Sequence, residues 1–236
     1  KEEKDNLKAM SKSAAGLTAT LFGRMVTSDL LARVNAPVHV AHAFTVHAAN
    51  TEMDYFTVVD DLNRDDETGA AHANQTELGA GLYYGYVAVD VPLLVSNLTG
   101  CEAKDWKAQE GSTARRVLEA LIDSILRQSP GAKKGSTAPY AWADVLYLET
   151  GRSQPRALSN AFLDALRPEG KSDLRNAALS RLAAYVKQLD EMYGDPNDGE
   201  TRQLSTTLEQ PAHLPPRQPV PQAVAAALDA IFGPKA

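Results

Sequence analysis

Two stretches with a period of two constrain the fold of this chain most. In residues 38–46 and again in residues 80–91, apolar and polar or small residues alternate, as in β-strands with one buried face. Between them lies a polar excursion, roughly 30 residues long, that contains the aromatic pair Tyr55 and Phe56. Because loops of this length without structure of their own are uncommon and usually functional, the sequence predicts two strands that flank a functional excursion.

Further elements are predicted on both sides of these strands. Residues 112–128 form the clearest helix, since apolar residues recur along one face and Pro130 ends the pattern. The other expected elements are the end of a helix at 1–16, a strand at 17–26, a helical turn at 92–98, a strand at 143–149, helices at 159–167, 172–193 and 220–232, and an irregular proline-rich segment at 195–221.

Composition limits the class of protein. The chain has 236 residues, 44% hydrophobic and 23% charged, which fits one globular domain or two intimate ones. Its one cysteine, Cys101, excludes an intramolecular disulfide and supports neither a Cys-rich zinc site nor an oxidising compartment, so we expect a reducing cytoplasm. No apolar run approaches the roughly 20 residues that cross a bilayer, and no signal peptide is recognisable, so no membrane role is expected.

The net charge of −6 and the pI near 5.4 argue, taken alone, against nucleic-acid binding. A local basic groove on a body with an acidic back surface would nevertheless make nucleic-acid binding compatible with this overall charge.

Five short motifs occur in a fixed order. They are Gly-Arg-Met-x-Thr-Ser at 23–28, Ala-His-Ala at 41–43 followed by Thr45 and His47, Tyr-Phe-Thr-x-Val-Asp-Asp-Leu at 55–62, Ala-His at 71–72, and Gly-Leu-Tyr-Tyr at 81–84 leading to Tyr86. In order and spacing, this series resembles the backbone subunit (CasC) of the type I-E CRISPR-associated Cascade surveillance complex.

The resemblance implies an α+β fold with a ferredoxin-like (RNA-recognition-motif-like) palm, a β-hairpin thumb and flanking helices. It divides the chain into the end of a helical fingers insertion (1–16), palm strands (17–47), the thumb hairpin (48–80), and the palm continuation with C-terminal helices (81–236). Since the chain begins with Lys1 inside a polar helical pattern, we expect the first palm strand, a basic helix and most of the fingers to precede it.

The resemblance implies a non-catalytic subunit, and we expect it in the cytoplasm. Several copies would polymerise along one guide crRNA, and each thumb would displace a base so that the others pair with target DNA. The expected partners are crRNA, target DNA through the guide heteroduplex, further copies and other Cascade subunits, with no membrane, cofactor or metal.

The resemblance also assigns RNA contacts. Flat side chains can stack on any base, which is worth roughly 1–3 kcal/mol per base. Tyr55 and Phe56 take the place of the family's usual Trp-Phe pair at the thumb tip, and Met25 takes that of a methionine where the RNA kinks. Ala73 is smaller than its family counterpart, which weakens a wedge role there. The full set of expected RNA-binding residues is Arg24, Met25, Tyr55, Phe56, Thr57, His72, Lys133, Lys134 and Arg167.

Each assignment has a competing interpretation. Met25 fits a core residue at a strand end, and the two aromatics fit a small cluster that clamps the hairpin. The cations fit solvated surface charges unless they converge on one groove, as the set Arg24, Lys133, Lys134 and Arg167 would have to do.

Two other functions remain open. A purely structural assembly subunit would bind RNA through the preceding part, and variants of Tyr55 and Phe56 would then lose self-association only. A metal-dependent hydrolase is disfavoured by spacing, because His39 and His47 would lie roughly 26 Å apart on one strand and no catalytic motif occurs. Its candidate ligands are His39, His42, His47, His72, Asp54, Asp60 and Asp61.

Overall fold

The computed structural model describes residues 16–25, 33–48, 51–58, 72–129, 131, 135, 138–167, 173–194 and 200–234. The helices there are α1 (Gly16–Phe22), α2 (Val91–Thr99), α3 (Ser112–Arg127), α4 (Leu174–Tyr193) and α5 (Val220–Phe232), with 3₁₀ helices at Ala103–Ala108 and Ser159–Phe162. The strands are β1 (Val38–Val40), β2 (Phe44–Thr45), β3 (Thr51–Val58), β4 (His72–Gly79), β5 (Tyr83–Tyr84), β6 (Val87–Val89), β7 (Val145–Thr150) and β8 (Thr201–Thr206).

The strands form antiparallel pairs: β1 with β6, β2 with β5, β3 with β4, and β7 with β8. Helices and small antiparallel sheets thus make up the described chain, and the predicted α+β class is confirmed. No helix in these ranges is both long and apolar enough to cross a bilayer.

The predicted helices at 92–98, 112–128, 172–193 and 220–232 are confirmed. The ends of α2 show why it forms where it does. The Asp90 side chain accepts a hydrogen bond from the Leu93 N–H, and Gly100 in the left-handed region donates its N–H to the Ser96 carbonyl. Asp173 caps α4 in the same way by accepting from the Arg175 N–H.

Buried side chains form two cores on either side of the β7–β8 ribbon. Core A contains Val46, Leu158, Phe162, Leu166, Ala178, Leu179, Leu182, Ala183, Val186, Leu204, Leu208 and Leu214. Core B contains Leu21, Val38, Leu94, Leu118, Val224 and Leu228. Val145 and Tyr147 of β7 pack on core A, whereas the alternate residues Leu146 and Leu148 pack on core B.

This division explains why each long predicted strand is broken in two. Val38 lies in core B and Val46 in core A. The chain between them therefore passes from one core to the other. Val40 is accordingly 65% exposed instead of sharing a buried face with its predicted neighbours. Its partner segment is interrupted in the same way, between β5 and β6.

The strand predicted at 17–26 is wrong, because residues 16–22 form helix α1. Thr18 and Thr20 favour strands only weakly, and the helix buries Leu21 in core B. Gly23 ends the helix with a φ of 77° and donates its N–H to the Ala19 carbonyl.

Two further expectations need correction. The helix predicted at 159–167 is limited to the 3₁₀ turn Ser159–Phe162, since Leu166 pairs with His47 in a parallel bridge. The segment at 195–221, predicted to be irregular, contains β8. Leu204, fully buried, anchors β8 in core A, but one apolar residue among polar neighbours is too little to predict a strand.

Candidate nucleic-acid interface

The excursion between residues 48 and 80 contains an antiparallel strand pair. Eight residues of β3 oppose eight of β4, from Thr51 opposite Gly79 to Val58 opposite His72. A functional segment was predicted here, and the register fixes which of its side chains share a face.

Tyr55 and Phe56 lie on opposite faces of this hairpin. They are neighbours in β3, and side chains alternate along a strand. Tyr55 therefore shares a face with Gln75, its cross-strand partner, and Phe56 shares the other with Asn74. Tyr55 is 67% exposed and Phe56 41% exposed, so both rings are available at the surface but cannot stack on one side of the same base.

The root of the hairpin is held by backbone hydrogen bonds to Leu166. The Leu166 N–H donates to the Val46 carbonyl over 2.9 Å, and the Ala48 N–H donates to the Leu166 carbonyl over 3.0 Å. Arg167, which follows directly, is exposed. The structure therefore brings Arg167 to the root of the hairpin that carries Tyr55.

The imidazole of His47 fixes the same root from the other side. Its Nδ1 lies 2.8 Å from the Ala48 carbonyl oxygen, and its Nε2 accepts the Leu82 N–H over 3.1 Å. Since Nε2 accepts the Leu82 N–H, Nδ1 is the nitrogen that donates to the Ala48 carbonyl. Both nitrogens are thus occupied by backbone groups, and His47 is not free to bind a metal.

The Gly-Arg-Met motif lies beside core B. A β-carbon on Gly23 would come within 2.8 Å of the Val34 carbonyl oxygen. Half-buried Arg24 exchanges two backbone hydrogen bonds with Val34. Met25 is 86% exposed, so the interpretation of Met25 as a core residue is wrong. Met25 and Arg167 lie at the edges of different cores.

The remaining predicted RNA contacts are placed less fully. Thr57 is exposed opposite Ala73, and His72 opposes Val58 at the distal end of the strand pair. Lys133 and Lys134 lie outside the described residues.

An ion network supports the segment that leads towards Arg167. Arg156 donates two hydrogen bonds to Glu149, 2.6 and 3.1 Å long, and a third to Asp190, 3.0 Å long. Arg202 also donates twice to Asp190. Burial acts to raise the pKa of Asp190, but the hydrogen bonds from Arg202 and Arg156 outweigh it and hold that pKa below its ordinary value. Burial, reinforced by the charge of Glu149, raises the pKa of Tyr147.

Sequence reasoning missed this network and also Arg181. The Arg181 guanidinium of α4 donates to the Asp164 carbonyl over 2.5 Å, beside the hairpin root. A polar position on the outer face of a helix gives no signal for such a contact, because the partner segment has no regular pattern.

The negative charge of the chain is concentrated in the hairpin segment. Residues 51–79 contain eight acidic residues and one basic residue, a net charge of −7. The whole chain has 30 acidic and 24 basic residues, so the remainder has 22 acidic and 23 basic and a net charge of +1. The acidic composition is therefore a property of the sequence segment 51–79 and not of the rest of the chain.

In the described part of the chain, no three His, Cys, Asp or Glu residues are grouped so that they could hold a metal ion. The hydrolase alternative gains no support from these residues.

Comparisons with known proteins bear on this geometry. The chain is similar in fold to a chain titled "CRISPR RNA-guided surveillance complex, pre-nicking", with a TM-score of 0.79 and 30% identity; the match covers 92% of this chain and 56% of that one. It is also similar to a chain titled "CRISPR RNA-guided surveillance complex", with a TM-score of 0.76 and 28% identity, over 98% of this chain and 85% of that one. No curated protein matches.

The family model described as "CT1975-like protein" matches residues 1–226. Together with the solved structures, this match confirms the resemblance to a CRISPR surveillance-complex subunit that the motifs indicated. The chain belongs to the CT1975-like protein family.

Proposed function

We propose that the chain is a non-catalytic backbone subunit of a type I-E Cascade complex and that it binds guide crRNA. The observation that carries the proposal is the exposure of Tyr55 and Phe56 on a hairpin whose root adjoins Arg167. The family membership and the similarity to surveillance-complex chains support it.

In this proposal, the body is a ferredoxin-like palm and the hairpin is the thumb. Several copies polymerise along one crRNA in the cytoplasm, together with other Cascade subunits. Each thumb displaces one base, and the remaining bases pair with target DNA. Sequence is read by base pairing, so the subunit needs only contacts that accept any base.

The charges of the two parts suggest how the contacts divide. Strands β3 and β4 contain Glu52, Asp54 and Glu77 but no lysine or arginine, so they cannot neutralise phosphates. Stacking on an aromatic ring needs no cation. The hairpin therefore contacts bases, and cations of the body, Arg167 among them, contact the phosphates.

The test is fluorescence anisotropy with labelled single-stranded RNAs of increasing length at two salt concentrations. The parent chain is compared with the double variant Tyr55→Ala/Phe56→Ala. The control is Met192→Ala/Tyr193→Ala, since these neighbouring residues are 74% and 76% exposed at the C-terminal end of α4 and are not part of β3 or β4. We expect length-dependent, sequence-indifferent binding that the hairpin variant loses and the control keeps. Equal binding by all three proteins would contradict the proposal.

A purely structural assembly role is the second candidate, and the charge of −7 on residues 51–79 favours it, because RNA phosphates repel this segment. Sedimentation velocity on the same variants separates the two roles. Loss of self-association with intact RNA binding would establish the structural role.

A further inference from the structure

Two arginines near the hairpin root lack the carboxylate partner that five other arginines of the described chain have. Arg115, Arg127, Arg156, Arg175 and Arg202 each form an ion pair with a carboxylate. Within the described ranges, Arg167 and Arg181 pair with none. An unpaired guanidinium costs nothing in water but offers a bidentate group to an anion such as a phosphate.

Both arginines are connected to the segment 164–167 beside the hairpin root. Arg181, on the outer face of α4, is half-buried and donates through Nη1 to the carbonyl of Asp164. Asp164 precedes Arg167 by three residues, and three residues span at most about 11 Å. The helix therefore places the Arg181 guanidinium against the short segment that ends at Arg167, and the hydrogen bonds of Leu166 hold the backbone of that segment at the hairpin root.

The bond to Asp164 orients Arg181 without using up its donors. A guanidinium has five N–H groups in a planar fork, and the single bond from Nη1 is its one hydrogen bond among the described residues. Anchoring one edge of the fork reduces the entropy lost when the other edge binds a ligand. The exposed Asp164 carries one negative charge in the same segment, against the two positive charges of Arg167 and Arg181.

We infer that Arg181 is a second contact for an RNA backbone phosphate, next to Arg167 at the root of the hairpin. This inference rests on the proposed function and names a residue of its binding site. Neither the motif series nor the spacing of charges in the sequence indicates Arg181.

The test compares the salt dependence of RNA binding in four variants with that of the parent 236-residue chain, using labelled single-stranded oligouridine. For single strands, each phosphate contact contributes about 0.7 to the slope of log K against log salt. We expect Arg181→Gln to reduce the slope by about 0.7 and Arg181→Lys to restore it. Arg167→Ala should reduce the slope by a similar amount.

The matched control is Arg175→Gln. Arg175 lies on the same helix and its side chain is 52% exposed, but it is paired with Asp144 and Asp173. The Arg175→Gln variant should therefore show the same slope of log K against log salt as the parent. Thermal denaturation of every variant identifies any loss of folded protein.

The outcomes separate the inference from the proposed function. If Arg167→Ala lowers the slope and Arg181→Gln does not, the contact at Arg181 is overturned and the proposed function stands. If Arg181→Gln lowers the affinity but leaves the slope unchanged, Arg181 acts only by holding Asp164, and the phosphate contact is again overturned. If the parent binds no RNA, both fail.

Discussion

Gly81 lies against the imidazole of His47, at the root of the hairpin. A β-carbon at position 81 would come within 3.1 Å of Nε2 of His47 and 2.8 Å of Cγ2 of Thr45. Nε2 is the atom that accepts the Leu82 N–H. The absence of a side chain at position 81 is thus what allows the ring to hold both sides of the root.

We therefore expect Gly81→Ala to destabilise the chain. The added methyl group displaces the ring, and overpacking of this kind costs about 1–3 kcal/mol. Urea denaturation measures the loss. The control is Gly85→Ala, because a β-carbon on Gly85 meets no atom within 4 Å; equal effects of the two substitutions would refute the steric explanation.

Placement of Tyr55 and Phe56 on opposite faces predicts that their contributions to RNA binding are independent. Each single alanine variant should lose up to roughly 1–3 kcal/mol of binding free energy. The double variant should lose the sum, since side chains on different faces share no partner. Anisotropy titrations of the three variants give the coupling energy, and a coupling as large as either single loss would mean that both rings serve one base.

Substitution of Met25 should affect RNA affinity and the stability of the fold differently. Because its side chain is 86% exposed, Met25→Ala should change the free energy of unfolding by no more than about 0.5 kcal/mol. Its affinity for RNA should nevertheless fall if Met25 packs at a kink of the guide. The two quantities are measured by urea denaturation and anisotropy; Leu17→Ala, another exposed apolar substitution, controls for general loss of surface area. A fall in stability without a fall in affinity would remove Met25 from the interface.

The Asp190 carboxylate predicts a loss of stability in acid. Its pKa is lower in the folded chain than the ordinary value of 3.8, so the folded chain binds fewer protons there than the unfolded chain. Its contribution to stability is therefore complete above pH 3.8 and is lost as the pH falls through the lower, folded pKa. Asp190→Asn should show a flatter acid limb in a series of urea midpoints between about pH 5 and about pH 2.

Glu191→Gln is the control for this series, because Glu191 is adjacent but forms only an exposed surface pair with Lys187. An acid limb in Asp190→Asn as steep as that of the parent would show that the network with Arg156 and Arg202 does not protect the carboxylate.

Helices α2 to α5 were predictable because their signals are local, whereas α1 was predicted to be a strand. The apolar stripe of residues 112–128, the Asp90 cap and the Pro92 position act within a few residues of one another, and α2 and α3 form as expected. The strands were less predictable, because two cores compete for one short segment. Nothing in the alternation of residues 38–46 reveals that Val38 and Val46 are buried in different places.

The candidate site likewise contains features that were predictable from the sequence and features that were not. Two exposed aromatics in a polar segment are visible in the sequence, and their exposure is confirmed. Their opposite orientation follows from the strand pair of β3 and β4, which the resemblance, and no alternation in the segment itself, led us to expect. The position of Arg167 depends on the pairing of Leu166 with His47, which joins segments that are distant in sequence and carries no periodic signal. Arg181 depends in turn on that segment, so it could not be found without the fold.

The β7–β8 ribbon has a consequence for how the molecule unfolds. One face of β7 packs on core A and the other packs on core B. If the ribbon separates, both cores lose apolar contacts. The hairpin root is tied to core A through Val46 and Leu166, and the Gly-Arg-Met segment to core B through Leu21. We therefore expect the hairpin root and the Gly-Arg-Met segment to lose their support together when the ribbon separates, in one cooperative transition.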